Sequence, residues 1–142
     1  FMVDEYQFYE ARAHGADVVL LIVAALSKNQ LEDYFHLSTE LGMRSLIEVH
    51  THDELERALE ISPQIIGVNS RNLKTLEVDA RAFAELIPQI PVNIARIAES
   101  GISTRDEVVF AQECGATAIL VGEALVRSES PSVAMNQLLG RL

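Results

Sequence analysis

Five short apolar runs punctuate this chain, Val18–Val23, Leu46–Val49, Ile65–Val68, Ile94–Ala98 and Ile119–Val121, ending at positions 23, 49, 68, 98 and 121. None alternates polar with apolar residues as a half-exposed strand would. Each therefore reads as a strand buried on both faces, the pattern of a parallel sheet covered by helices. The intervening segments carry helix punctuation. Ser27-Lys28-Asn29-Gln30, Thr51-His52-Asp53-Glu54 and Thr104-Arg105-Asp106-Glu107 each place a hydroxyl three residues before an amide or carboxylate. That spacing predicts capping boxes, in which the two side chains satisfy the orphan amides of a helix start. Ser130-Pro131 predicts an N-cap with proline in the first turn. Gly15, Gly42 and Gly115 stand where helices must stop in a left-handed conformation.

Gly15-Ala16-Asp17-Val18-Val19-Leu20-Leu21 is echoed by Gly115-Ala116-Thr117-Ala118-Ile119-Leu120-Val121, again a helix stop followed by a buried strand. Repeated βα units follow, with no linker or low-complexity stretch, so residues 1–142 are taken as one domain. Two architectures hold five such units: an open doubly wound sheet, for which 142 residues is a natural length, or part of a (β/α)8 TIM barrel, which needs about 250 residues. Phe1-Met2-Val3 reads as the stub of a strand already under way, with a helix from about Asp4 to His14 behind it, and this favours the barrel.

Charge removes several function classes. Against 21 acidic residues stand only 11 Lys and Arg, a net charge of −10. Nucleic acid and anionic membrane surfaces both demand cations, so neither is an expected partner. The longest apolar run, Val18–Leu26, is too short to cross a bilayer, and no secretory signal opens the chain. Cys114 is the single cysteine, which excludes an internal disulfide and any cysteine-based metal cluster. A soluble, cytoplasmic domain is the expectation.

In both architectures, function gathers at the carboxyl ends of the strands. Glu48, inside Leu46-Ile47-Glu48-Val49, is an unusual place for a solvated carboxylate. Burial there raises a carboxyl's pKa and suits proton transfer; the alternative is a glutamate on a half-exposed face or one neutralised by arginine. Asn69 can bind a substrate or simply form an Asx-turn, and Arg71 can pair with an anion. In Glu99-Ser100-Gly101, the glycine lets backbone amides approach phosphate near the helix that starts at Thr104, and Gly122 can supply the second half of such a site. Alone, each glycine is as readily a turn. His14, His36, His50 and His52 show no metal-ligand spacing and read as loop and cap residues; Lys74 reads as a solvated loop residue.

Read together and in order, five stretches closely resemble the indole-3-glycerol phosphate synthase family. They are Leu20–Leu26, Leu46-Ile47-Glu48-Val49-His50, Ile66–Asp79 with Asn69-Ser70-Arg71-Asn72-Leu73-Lys74-Thr75 at its centre, Ala98-Glu99-Ser100-Gly101-Ile102 and Ile119–Leu125. The resemblance implies a (β/α)8 barrel of tryptophan biosynthesis. The family converts 1-(2-carboxyphenylamino)-1-deoxyribulose 5-phosphate into indole-3-glycerol phosphate, carbon dioxide and water, a lyase and decarboxylase reaction needing no cofactor or metal. By motif, Glu48 corresponds to the catalytic glutamate after the fifth strand and Asn69 to the substrate-binding asparagine after the sixth, with Arg71 in the same loop. Glu99 and Ser100 correspond to the active-site pair after the seventh strand. Gly101 falls in the neighbouring phosphate loop, and Gly122 and Glu123 at the phosphate site after the eighth.

The family's general-acid lysine lies in a Lys-Asp-Phe motif on its third strand, whose phenylalanine corresponds to Phe1; a further lysine and glutamate lie on its first strand. The chain is thus expected to match the barrel from the end of strand three onward, and to be inactive by itself. Its open barrel edges should favour self-association. The rival expectations are a non-catalytic phosphate-binding βα module and another phosphate-binding barrel such as phosphoribosylanthranilate isomerase. Glu48 and the Asn69–Asp79 loop argue against the latter.

Overall fold

The computed structural model describes residues 1–73 and 75–141; Lys74 therefore lies outside the described residues. Five parallel strands form one sheet in chain order: β1 (Val18–Ile22), β2 (Arg44–Val49), β3 (Ile65–Asn69), β4 (Ala95–Glu99) and β5 (Ala118–Leu120). Helices precede, connect and follow them: α1 (Glu5–Ala13), α2 (Lys28–Glu40), α3 (His52–Glu60), α4 (Arg81–Leu86), α5 (Arg105–Glu113), α6 (Glu123–Val126) and α7 (Pro131–Leu139). Short 3-10 turns at Val23–Ala25 and Ile87–Gln89 extend β1 and α4.

The expected strands are present, with boundaries shifted by one or two residues. The stub is the exception: Phe1-Met2-Val3 is not a strand. Extended backbone needs a partner's amides and carbonyls to become a strand. Here Val3 N–H instead donates to the side chain of Gln7, 2.7 Å away, and its carbonyl accepts from the Tyr34 hydroxyl at 2.8 Å. The same Gln7 oxygen also accepts Asp4 N–H and closes a capping box that a hydroxyl-first pattern does not capture, because its first member is Asp4.

The boxes at Ser27 and Thr104 form as expected. The box at Thr51 does not. Thr51 caps Glu54 N–H, but the Glu54 carboxylate reaches past the cap to His50 N–H, 2.7 Å away. Ser130 occupies its N-cap position without a side-chain cap bond, its hydroxyl facing that of Ser132. Gly15, Gly42 and Gly115 do stop helices at positive φ.

Alternation along the strands separates two environments. Val19, Leu21, Ile47, Val49, Ile66, Val68 and Ala98 are buried on the face that packs against helices, where Phe8, Leu31, Leu55 and Phe83 complete the core. The other face carries Leu46, Glu48, Gly67 and Glu99, and it ends in a cleft at the carboxyl edge. Both outer strands expose apolar side chains, Val18 on β1 and Leu120 on β5. No helix among the described residues is long and apolar enough to cross a membrane.

The Thr104 box is the most heavily bonded of the caps: Glu107 Oε2 accepts from the backbone amides of Ser103 and Thr104 and lies within 3.1 Å of both hydroxyls. Replacing Thr104 by alanine should cost about 1 kcal/mol, the usual worth of such a cap. Equilibrium unfolding in urea, compared with the parent chain, measures it.

Candidate active site

Parallel pairing sets Glu48 of β2 beside Gly67 of β3, and Gly67 beside Ile97 of β4. Asn69 and Glu99 are partners at the ends of β3 and β4. The consequence is that Glu48 and Glu99, from strands not adjacent to one another, converge over Gly67. Both are buried, 4% and 3% exposed. Gly67 permits this, since a Cβ there would collide with the Glu99 carboxyl and come within 3.1 Å of Leu46 Cδ1. A glycine inside an otherwise apolar strand is the sequence signal for such a close approach, and strand-end motifs alone do not reveal it.

Two carboxyls in hydrogen-bonding reach within a poorly hydrated space cannot both ionise at neutral pH. Burial, then the Glu48 charge, then the bond between them push the Glu99 carboxyl up from 4.5 to about 8. Glu99 Oε1 has no other polar partner among the described residues. At neutral pH the pair therefore combines a proton donor with a proton acceptor at one spot, held by strand ends rather than by loops.

His50, in the loop between β2 and α3 as expected, also stands beside this pair. Two residues beyond Glu48, it returns to the same side of the chain, and its Nε2 lies 3.4 Å from Glu48 Oε1. Its Nδ1 lies 3.2 Å from Glu54 Oε2, the oxygen that also accepts His50 N–H. Burial works against the charged form of Glu54, but the His50 bonds outweigh it and hold that carboxyl below its ordinary value. His52, by contrast, is exposed and 3.9 Å from Glu56.

The remaining expected site residues line the same cleft of about 810 Å³, which contains Asn69, Arg71, Ser100, Gly101, Gly122 and Glu123. Asn69 does make an Asx-turn: its side-chain oxygen accepts Arg71 N–H at 2.9 Å. The two readings of Asn69 are thus compatible, because the turn uses the oxygen and leaves the amide donors. Arg71 is held by the Leu76 carbonyl and by Glu123 Oε2, 3.0 Å away, while Arg127 binds the other Glu123 oxygen. The carboxylate of Glu123 thus pairs with two arginines at the cleft. Ser100 and Gly101 both adopt left-handed backbone, φ 67° and 68°. At Gly101 a side chain would strike Val78, whose strand-like bridge to Arg71 folds the loop back over the cleft. Gly122 has an ordinary φ of −119° and open space where a Cβ would stand. No group of three or more His, Cys, Asp or Glu among the described residues is arranged to hold a metal ion.

A parallel sheet wound in chain order with helices on one face defines a protein of the (β/α)-barrel class. Solved structures agree on the fold. A mutant tryptophan synthase α-subunit from Pyrococcus furiosus superposes with a TM-score of 0.75 at 20% identity, over 96% of this chain and 60% of that one. A 3-hexulose-6-phosphate synthase gives 0.71 at 14%, over 99% and 69%. The family is shown by sequence: the family model for indole-3-glycerol phosphate synthase matches residues 1–138. The chain belongs to that family. The indole-3-glycerol phosphate synthase of Kineococcus radiotolerans is 54% identical over 139 residues, which are 98% of this chain and 51% of that protein. That of Rhodococcus jostii is 51% identical over 139 residues, 98% and 52% of the two chains. The chain spans about half the length of the curated relatives it matches.

Two outcomes follow from the geometry. Between pH 4.5 and about 8 the folded chain keeps a proton on Glu99 that the unfolded chain releases. Its contribution to stability is therefore present at the acid side of this window and lost as pH rises through it. Glu99→Gln should flatten that slope, read as thermal midpoints across the window. Gly67→Ala should displace the Glu99 carboxyl and destabilise the fold by about 1–3 kcal/mol, the usual cost of overpacking; denaturant unfolding of the two chains gives the difference.

Proposed function

We propose that these residues form the carboxyl-terminal working part of an indole-3-glycerol phosphate synthase. The reaction is closure of the indole ring of 1-(2-carboxyphenylamino)-1-deoxyribulose 5-phosphate, with loss of carbon dioxide and then of water. The observation that carries this reading is the Glu48–Glu99 pair: one proton shared by two buried carboxyls at the strand ends. Family membership supplies the reaction class.

The chemistry divides naturally. Attack of the aromatic carbon on the substrate carbonyl needs an acid to protonate the carbonyl oxygen. The family's lysine serves there, and it has no counterpart in residues 1–142. Decarboxylation restores the aromaticity of the benzene ring, and dehydration, which completes the pyrrole ring, then needs a base for a proton and an acid for the departing hydroxyl. Glu48 and Glu99 fit that second task, since neither protonation state has to be created at the moment of reaction. Asn69 offers its amide donors to substrate oxygens, and Ser100 offers a hydroxyl beside the pair. Arg71, braced by Glu123, faces the anionic side of the substrate. Backbone amides around Gly101 and Gly122 take the phosphate, with open space at Gly122 where a side chain would stand. The substrate is a phosphorylated small molecule, and the enzyme works in the cytoplasm.

In a complete synthase carrying these residues, Glu48→Gln should lower kcat by about 100-fold or more, the usual worth of an acid–base group. A polypeptide limited to residues 1–142 should give negligible turnover. Fluorescence of the indole product reads both. A Glu48→Gln enzyme with undiminished kcat would remove Glu48 from the mechanism.

A further inference from the structure

Three polar groups lie in a row leading to the reacting pair: Glu48 is buried, and His50 and Glu54 are partly buried. Glu54 Oε2 sits 3.2 Å from His50 Nδ1, and His50 Nε2 sits 3.4 Å from Glu48 Oε1. Among the described residues, neither His50 Nε2 nor Glu48 Oε1 has a hydrogen-bond partner, although both atoms are buried. The two unsatisfied buried polar atoms stand 3.4 Å apart, and leaving such atoms unpaired is costly. The other end of the imidazole is not free to turn. Glu54 is tied by the backbone amide of His50 at 2.7 Å and by its place in the first turn of α3.

We propose that His50 is a positioning residue for Glu48, held by Glu54 so that its Nε2–H faces Glu48 Oε1 and keeps that carboxylate as the proton acceptor of the Glu48–Glu99 pair. Only an imidazolium donates from both ring nitrogens, and here each nitrogen faces a carboxylate oxygen. The charges along the row then alternate: Glu54 anionic, His50 cationic, Glu48 anionic, Glu99 neutral. The row assigns the shared proton to Glu99, because a protonated Glu48 would set its O–H against a cation. Glu48 is otherwise faced by Glu99 of β4. Arg71, the nearest cleft arginine on β3's loop, is engaged by Glu123 instead.

The sequence basis is local. His50 follows Glu48 by two, so both project to one side of an extended chain, and Glu54 follows His50 by four, within reach across the helix start. This also accounts for the missing capping box at Thr51, whose acidic member is diverted to His50.

The inference rests on Glu48 and Glu99 being the reacting pair, and one arm of its test is independent of turnover. In the full chain at neutral pH, nitrogen-15 spectra of the His50 ring should show protons on both nitrogens. In Glu48→Gln the ring should keep its Nδ1 proton and lose the one on Nε2. A ring spectrum indifferent to Glu48→Gln overturns the proposal. In the complete synthase, His50→Ala should lower kcat by about 10- to 100-fold, as loss of an orienting partner commonly does. KM should stay within about twofold, because the substrate is held elsewhere in the cleft. His50→Gln, whose amide N–H can replace Nε2–H, should recover most of the loss. Full activity in His50→Ala, or no rescue by glutamine from a folded enzyme, overturns it as well. Should the complete protein show no synthase activity, the proposed function fails, and the ring spectra still decide the role of His50.

Discussion

Each strand of this chain pairs in parallel with its sequence neighbours, and that one constraint sets everything else in place. Parallel pairing in chain order returns every connection across the same face, so the helices cover one side of the sheet. It also finishes every strand on the same edge. Residues far apart in sequence, Glu48, Asn69, Glu99 and Gly122, become neighbours there because each ends or follows its strand. The helix-packed face can then be largely apolar, with Ile47, Ile66 and Val68 fully buried and Ser45 bonded to Ser38 of α2, while the opposite face is free to hold polar groups near its edge.

Burying two carboxyls would destabilise an ordinary core. The sheet accommodates them by three local devices. Gly67 gives up its side chain so that Glu99 can lie across β3. The two carboxyls share one proton, so only one charge is left in the poorly hydrated space. His50, anchored by Glu54, stands beside the remaining charge. At the cleft, Arg71 and Arg127 both pair with Glu123.

The loop geometry at the cleft is held chiefly by backbone. Ser70 N–H donates to the Glu99 carbonyl, and the Ser70 hydroxyl to the Ser100 carbonyl, so the ends of β3 and β4 are stitched together just beyond the sheet. The left-handed turn at Ser100 and Gly101 then directs the chain away from the cleft and into α5. Ser100 accepts a backbone conformation uncommon for a residue with a side chain, a strain characteristic of functional loops.

The sequence by itself determined the alternation of buried strands with capped helices, because continuous apolar runs and hydroxyl–carboxylate spacings act over a few residues. It also singled out Glu48, since a carboxylate within an apolar strand is costly to bury and therefore rare, and it marked the glycine stops at Gly15, Gly42 and Gly115. What only the tertiary structure decided is who meets whom across the sheet. Register places Glu48 and Glu99 together over Gly67, and no spacing along the chain encodes that. Nor could it show that Glu123 braces Arg71, 52 residues away, or that Glu54 abandons its capping box for His50. Local patterns fix local bonds; a buried carboxyl takes its proton, its partner and its role from strands that only pairing brings alongside.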